Sequence, residues 1–169
     1  MAKLLTYSPK DVIILLGGVY SVEYLAESDF VSISHTQDTS ASVAALDGEE
    51  ARVHRQNNHY AIEISLQQSS PTNNYLSVIY EIDQKTGLGK MPLLIKDDKG
   101  TSIFFAATCW VESRPDLTFS NTLNTRKWVL GCSEAGMVVG GNVESTVLDI
   151  LGIATVGSEL LGNLGVFGG

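Results

Sequence analysis

The chain has 169 residues, 44% apolar and 18% charged, with 19 acidic against 11 basic side chains and a net charge of −8. That length and apolar content suffice for one core of its own, which excludes a disordered chain, and the acidic balance excludes a protein that grips phosphates. The only two cysteines, Cys109 and Cys132, each fall inside a strand-like run; they read as buried free thiols behaving as small apolar side chains, with a disulfide as the alternative.

In chain order, Lys3 and the apolar run Val12–Leu16 do not make a secretory signal, because the run is too short and lacks a small-residue cleavage pattern. Val12–Leu16 instead has the continuous apolar character of a strand covered on both faces, and Gly17-Gly18 turns it into Val19–Val22. Phe30–His35 alternates, with Val31 and Ile33 opposed to Ser32 and Ser34. The clearest strand is Tyr60–Gln67, where Tyr60, Ile62, Ile64 and Leu66 alternate with Ala61, Glu63, Ser65 and Gln67.

Between those two strands lies the polar segment Thr36–His59, longer than ordinary connections within a domain. Ordering it costs roughly 1–2 kcal/mol of backbone entropy per residue, and Val43, Ala44, Ala45 and Leu46 return little, so it is expected to be a mobile loop in the isolated chain. Its charges are mixed, Asp38, Asp47, Glu49 and Glu50 against Arg52 and Arg55, which permits pairing with a second copy.

A helix is predicted over 71–85, with Ser70 as N-cap, Pro71 at the first helical position and Gly87 after the end. Tyr75, Ile79 and Ile82, with Leu76 beside them, form its inward stripe. Pro92–Lys96 and Thr101–Ser113 flank the turn Asp97-Asp98-Lys99-Gly100 and read as a hairpin. Ile103, Phe105, Ala107, Cys109 and Val111 share one face of its second arm; Phe104, Ala106, Thr108 and Trp110 share the other. Thr125–Glu134 is a further strand with Trp128, Leu130 and Cys132 on one face, which Gly136–Gly140 extends or bulges. The fold class is α+β, mostly β: about seven strands and one flanking helix, near a β-sandwich or open barrel. The domain covers 1–141. Residues 142–169 form a Gly-punctuated apolar extension, with a short helix expected over 143–151; its acids and glycines argue against membrane insertion.

No catalytic constellation stands out. His35, His54 and His59 with Asp47, Glu49 and Glu50 lack metal-ligand spacing, no nucleophile elbow surrounds a serine, and neither cysteine lies in a nucleophile motif. Thr86-Gly87-Leu88-Gly89-Lys90 lacks the preceding strand and the Ser or Thr of a phosphate loop and reads as a helix end. The expectation is a protein that is not an enzyme and uses no metal or cofactor.

Several segments carry a family resemblance: Tyr7-Ser8-Pro9-Lys10-Asp11-Val12, Asp47-Gly48-Glu49-Glu50-Ala51-Arg52-Val53-His54-Arg55, Gln68-Ser69-Ser70-Pro71-Thr72-Asn73, Gly89-Lys90-Met91-Pro92-Leu93-Leu94-Ile95-Lys96-Asp97 and Gly136–Asn142. Together they resemble the tail tube proteins of contractile-tailed bacteriophages over about residues 1–142. The resemblance implies six-fold rings whose inner strands join in a continuous β-barrel, stacked into a tube that conducts DNA during ejection. It implies as partners further copies of the chain, the surrounding sheath, the baseplate, the tail terminator and the tape measure protein, with assembly in the host bacterial cytoplasm and a final place in the virion tail. On that reading Thr36–His59 reaches the adjacent ring through Asp47, Glu49, Glu50, Arg52 and Arg55. The strands at Phe30–His35, Tyr60–Gln67, Thr101–Ser113 and Thr125–Glu134 line the bore, with Glu63 and Glu112 as lumen-facing acids. The rival readings are a type VI secretion-like tube and a carbohydrate-binding or adhesin sandwich using Trp110 or Trp128.

Overall fold

A computed structural model describes residues 7–56 and 58–141. After a 3-10 turn at Pro9–Asp11, nine strands and one α-helix occur among them: β1 Val12–Leu16, β2 Tyr20–Ser21, β3 Val31–His35, β4 Ser40–Ala44, β5 Glu50–His54, β6 Tyr60–Gln67, α1 Thr72–Thr86, β7 Met91–Asp97, β8 Ile103–Ser113 and β9 Thr125–Val138. Seven strands make one antiparallel sheet in the order β2-β1-β7-β8-β9-β6-β3, while β4 and β5 pair only with each other. The sheet is open, and the described architecture is one large curled sheet plus a separate two-stranded hairpin rather than two facing sheets of a sandwich. The curl is visible in the side chains: Val12 of β1 and Ile33 of β3, near opposite ends of the strand order, line the same cavity.

Curling puts one face of the sheet around the core. Ile14 and Leu16 on β1, Leu93 and Ile95 on β7, and Ile62, Ile64 and Leu66 on β6 are buried, as period-2 alternation requires. On β8 the face assignment read from strict alternation is corrected. Phe104 and Ala106 point inward, but so do Cys109 and Val111, and the inward phase changes over Ala107 and Thr108. The cause is a bulge. Leu93 pairs with Ala106 and Met91 with Cys109, so three steps on β8 oppose two on β7. The opposite strand kinks at the same level, where Glu134 adopts φ 53° and drops out of the ladder facing Ala107. Cys109 and Cys132 are direct cross-strand partners below this kink, both buried as free thiols; the Cys132 thiol beside it and burial both push Cys109 far above its ordinary pKa.

Helix α1 closes the core over the curl. Pro71 already has helical backbone angles, the Ser70 hydroxyl accepts from the Thr72 N–H at 3.3 Å, and the Gly87 N–H caps the Asp83 carbonyl at 2.8 Å, in keeping with the expected start and stop. Thr72 and Leu76 are fully buried and Tyr75 and Ile79 pack on the core, but Ile82, assigned inward on spacing, is 45% exposed beside Val78. The inward stripe runs through Thr72, Tyr75, Leu76, Ile79 and Tyr80, and Val78 and Ile82, four residues apart, lie beside it on the solvent side. Asn73 fastens the helix start: its amide donates to the Gln67 carbonyl at 2.9 Å and its Oδ1 accepts from Trp128 Nε1 at 2.9 Å. Tyr75 stacks on Tyr20 at 4.1 Å, tying β2 to the helix. The expected helix over 143–151 lies outside the described residues.

Candidate assembly surfaces

The segment Thr36–His59, expected to be structureless, is a β-hairpin. Ser40 pairs with His54, Val43 with Ala51 and Ala44 with Glu50. The turn is built by Leu46-Asp47-Gly48: the Gly48 N–H donates to the Ala45 carbonyl at 3.0 Å, the Ala45 N–H to the Glu49 carbonyl at 2.8 Å, and Gly48 sits at φ 88°, which a side chain would oppose. At the base, Thr36 and His59 are joined through backbone and side chain, with the Thr36 N–H to the His59 carbonyl at 3.1 Å and Thr36 Oγ1 to His59 Nδ1 at 3.2 Å. His35 Nδ1 contacts the Gln37 carbonyl, and the His35 ring meets Tyr60 edge-on.

The hairpin is two-sided. Ser40, Ser42, Glu50, Arg52 and His54 stand on one face, Ala41, Val43, Ala51 and Val53 on the other, and the apolar face is uncovered: Val43 is 56% and Val53 46% exposed, with Leu46 fully exposed at the tip. An isolated two-stranded hairpin is marginal in water, which makes this one, with its bare apolar face, a candidate contact surface. Asp47, Glu49, Glu50, Arg52 and Arg55 are all exposed here, Asp47 serving the turn by accepting from the Glu49 N–H at 3.3 Å. The residues that sequence reasoning missed are Val43, Val53 and Leu46. Their signal was present in the alternation Ala41, Val43 and Ala51, Val53 around an Asp-Gly turn.

The second surface is the outer face of β8-β9-β6-β3, the four strands expected to line a bore, which are consecutive in the sheet. With Ile62, Ile64, Cys109 and Val111 inward, the alternation directs Ser32, Ser34, Ala61, Glu63, Ser65, Lys127, Trp110 and Glu112 outward. Glu63 is ion-paired with Lys127, and Glu112 is exposed at a second irregularity of β8, between Val111 and Ser113. Trp110 lies flat over Gly131, where a Cβ would come within 2.9 Å of its ring, and Trp128 is 3% exposed beneath the helix start; neither is a free stacking platform for a sugar. Both edges of this four-strand unit are open. β3 ends the sheet, and Trp110–Ser113 of β8 run past the last β7 pair at Cys109. Among the described residues no group of three or more His, Cys, Asp or Glu side chains could hold a metal ion.

A curled, open sheet carries a bare amphipathic hairpin and unpaired strand edges, surfaces suited to contact with other chains. The chain belongs to the bacteriophage PhiTE tail tube protein family, whose model matches residues 5–140. It is 30% identical over 144 residues to the structural protein ORF10 of Pseudomonas phage KPP10, covering 81% of this chain and 83% of that one. In fold it is similar to the tube-terminating cap of the anti-feeding prophage, with a TM-score of 0.57, 15% identity and coverage of 82% of this chain and 95% of that one. A similar likeness holds to the sheath/tube terminator of the PVC extracellular contractile injection system in its extended state, with a TM-score of 0.57, 16% identity and coverage of 82% and 100%. The chain is therefore a structural protein of a phage tail tube.

Proposed function

We propose that this chain is the subunit of the inner tube of a contractile phage tail, closing as a hexameric ring and stacking ring on ring to conduct DNA at ejection. The observation that carries it is the pair of open edges on the four-strand unit. In β3 the Phe30 carbonyl and the Thr36 N–H point toward β6, accepting from Ser65 at 2.8 Å and donating to His59 at 3.1 Å. By the antiparallel alternation Val31, Ile33 and His35 then present their N–H and C=O groups away from the sheet. Joining that edge to Trp110–Ser113 of the next copy makes β8-β9-β6-β3 repeat around a ring as one continuous barrel, which removes the edges.

The outer face of the unit is then the bore. Its serines and the Glu63–Lys127 pair present a polar, weakly charged stretch that DNA phosphates pass without being held, with Glu112 adding a repelling charge within the Debye length of about 8–10 Å and Ile103 and Phe105 exposed at the other end of β8. The hairpin meets the adjacent ring, its apolar face supplying most of the contact and Asp47, Glu49, Glu50, Arg52 and Arg55 framing it. The Val78–Ile82 pair on the exposed side of α1 is available to a surrounding sheath. Terminator, baseplate and tape measure proteins complete the assembly, which forms in the host cytoplasm. Electron microscopy of the purified chain at rising concentration tests this: hollow tubes or six-fold rings are expected, and a monomer at every concentration refutes it.

A further inference from the structure

Rings that stack without limit need a head-to-tail contact, in which one pole of each copy meets the opposite pole of the next. The two poles of the strand unit β8-β9-β6-β3 carry different surfaces. β6 begins at Tyr60, opposite Cys132, and ends at Gln67, opposite Thr125. The hairpin leaves beside Tyr60, at the Thr36–His59 junction. The other pole is formed by the segment 114–124, which joins the end of β8 to the start of β9, together with the start of α1. That segment is held in place: the Gln68 N–H donates to the Asn124 carbonyl at 3.1 Å, and Ser120 Oγ donates to the Thr122 carbonyl at 3.0 Å.

Within 114–124, Leu117, Phe119 and Leu123 keep 69%, 75% and 75% of their surface exposed, and none of them joins the core cluster. Three large apolar side chains this close together in one loop mark a contact surface, as singly scattered ones would not. Beside them, Arg114 and Arg126 line one cleft with Leu117, Asn74 and Ser77. Arg114 is shared with Glu81 at 3.5 Å and lies over the Tyr80 ring, whereas Arg126 has no ion-pair partner among the described residues. The hairpin is the complement of this pole. Val43, Leu46 and Val53 supply exposed apolar surface. Between Ala45 and Ala51 the hairpin carries Asp47, Glu49 and Glu50 and no base, and none of these acids is ion-paired among the described residues.

We propose that the hairpin of one copy docks on the 114–124 segment of the next copy along the tube, Val43, Leu46 and Val53 covering Leu117, Phe119 and Leu123 while Asp47 and Glu49 meet Arg126 in the cleft. The inference rests on the tube reading above and adds to it the surface that receives the hairpin. The eight residues of β6 hold the two poles roughly 25 Å apart, at about 3.3 Å per residue. In the folded chain both surfaces are exposed, and a copy stacked head-to-tail brings them together. Apolar contact supplies the affinity. The pairing of acids with arginine fixes which pole is received, since hairpin against hairpin would set acids against acids.

The test uses tubes of the full chain carrying Leu46→Cys and Leu117→Cys together, treated with a short bis-maleimide; the buried Cys109 and Cys132 of the unsubstituted chain give the background. A ladder of multimers extending past the size of a single ring is expected on a denaturing gel, with a 46–117 cross-link in its peptides and no ladder from either single variant. Dimers from Leu46→Cys alone, a 46–117 cross-link only at monomer mass, a ladder that stops at one ring, or tubes without the cross-link overturn the inference and leave the tube reading standing. As a second measurement, Leu117→Ser with Phe119→Ser is expected to keep the melting temperature and the rings while the concentration needed for tubes rises about tenfold or more. Tubes at the native concentration from that variant overturn the inference too. An unsubstituted chain that stays monomeric at every concentration overturns it together with the tube reading.

Discussion

Replacing Val43 and Val53 together by serine separates the two ways in which the hairpin could hold a neighbouring ring. These valines sit on the same hairpin face and retain 56% and 46% of their surface in the isolated chain. Fully burying a valine contributes at least about 1.5 kcal/mol, so covering the exposed half of each supplies about 1.5 kcal/mol per hairpin, or roughly tenfold in the association constant. The desolvation of two new hydroxyls adds to that loss. Exposed ion pairs among Glu49, Glu50, Arg52 and Arg55 contribute about 0–1 kcal/mol and are screened by salt, so the apolar face contributes more than the charges around it. The Val43→Ser, Val53→Ser variant should keep its circular dichroism and melting temperature, since neither valine belongs to the core, while the concentration needed for tubes, read by pelleting and electron microscopy, rises at least tenfold. Raising salt to about 0.5 M should leave native tubes intact. Tubes at the native concentration from the variant, or native tubes that dissolve in salt, would refute the reasoning and return the contact to the charges.

Three further outcomes follow from the same geometry. Val31→Pro removes an N–H that faces away from β6 at the first residue of an edge strand, so the monomer should stay folded while rings, counted by electron microscopy, disappear. Asn73→Ala leaves the Trp128 Nε1–H without its acceptor in a buried site, and chemical denaturation should show a loss of about 1–3 kcal/mol with a change in tryptophan emission. Cys109 and Cys132 should resist alkylation in the native protein at pH 8 and react together once denaturant opens the sheet, because burial and the partner thiol hold Cys109 protonated; rapid labelling of the native chain by a charged thiol reagent would contradict the packing described.

Elements with strong local signatures were legible before any fold was known. Tyr60–Gln67 alternates cleanly because one face is core along its whole length, and Ser70-Pro71 with Gly87 marks the helix ends through backbone chemistry that tertiary contacts do not alter. The hairpin within 36–59 was readable in principle from Asp47-Gly48, but the entropy argument counted its apolar residues without their alternation. Strict period-2 reading failed on β8 because a bulge is a property of two paired strands of unequal length, and no single strand records its partner's register. Ile82 had helical spacing from Ile79, yet the buried stripe turns through Leu76 and Tyr80 instead, and which face of a helix is buried is set by what it packs against.

The sequence by itself determined a mostly β, acidic domain with one capped helix and an outsized segment between two strands, because composition, alternation and capping are local. Only the tertiary structure decided that this segment carries a two-sided hairpin with a bare apolar face, that the strands β8, β9, β6 and β3 are neighbours, and that the sheet stops short of closing. Those features arise from pairing between strands far apart in the chain, where register, bulges and curl are set jointly by partners that no local pattern identifies.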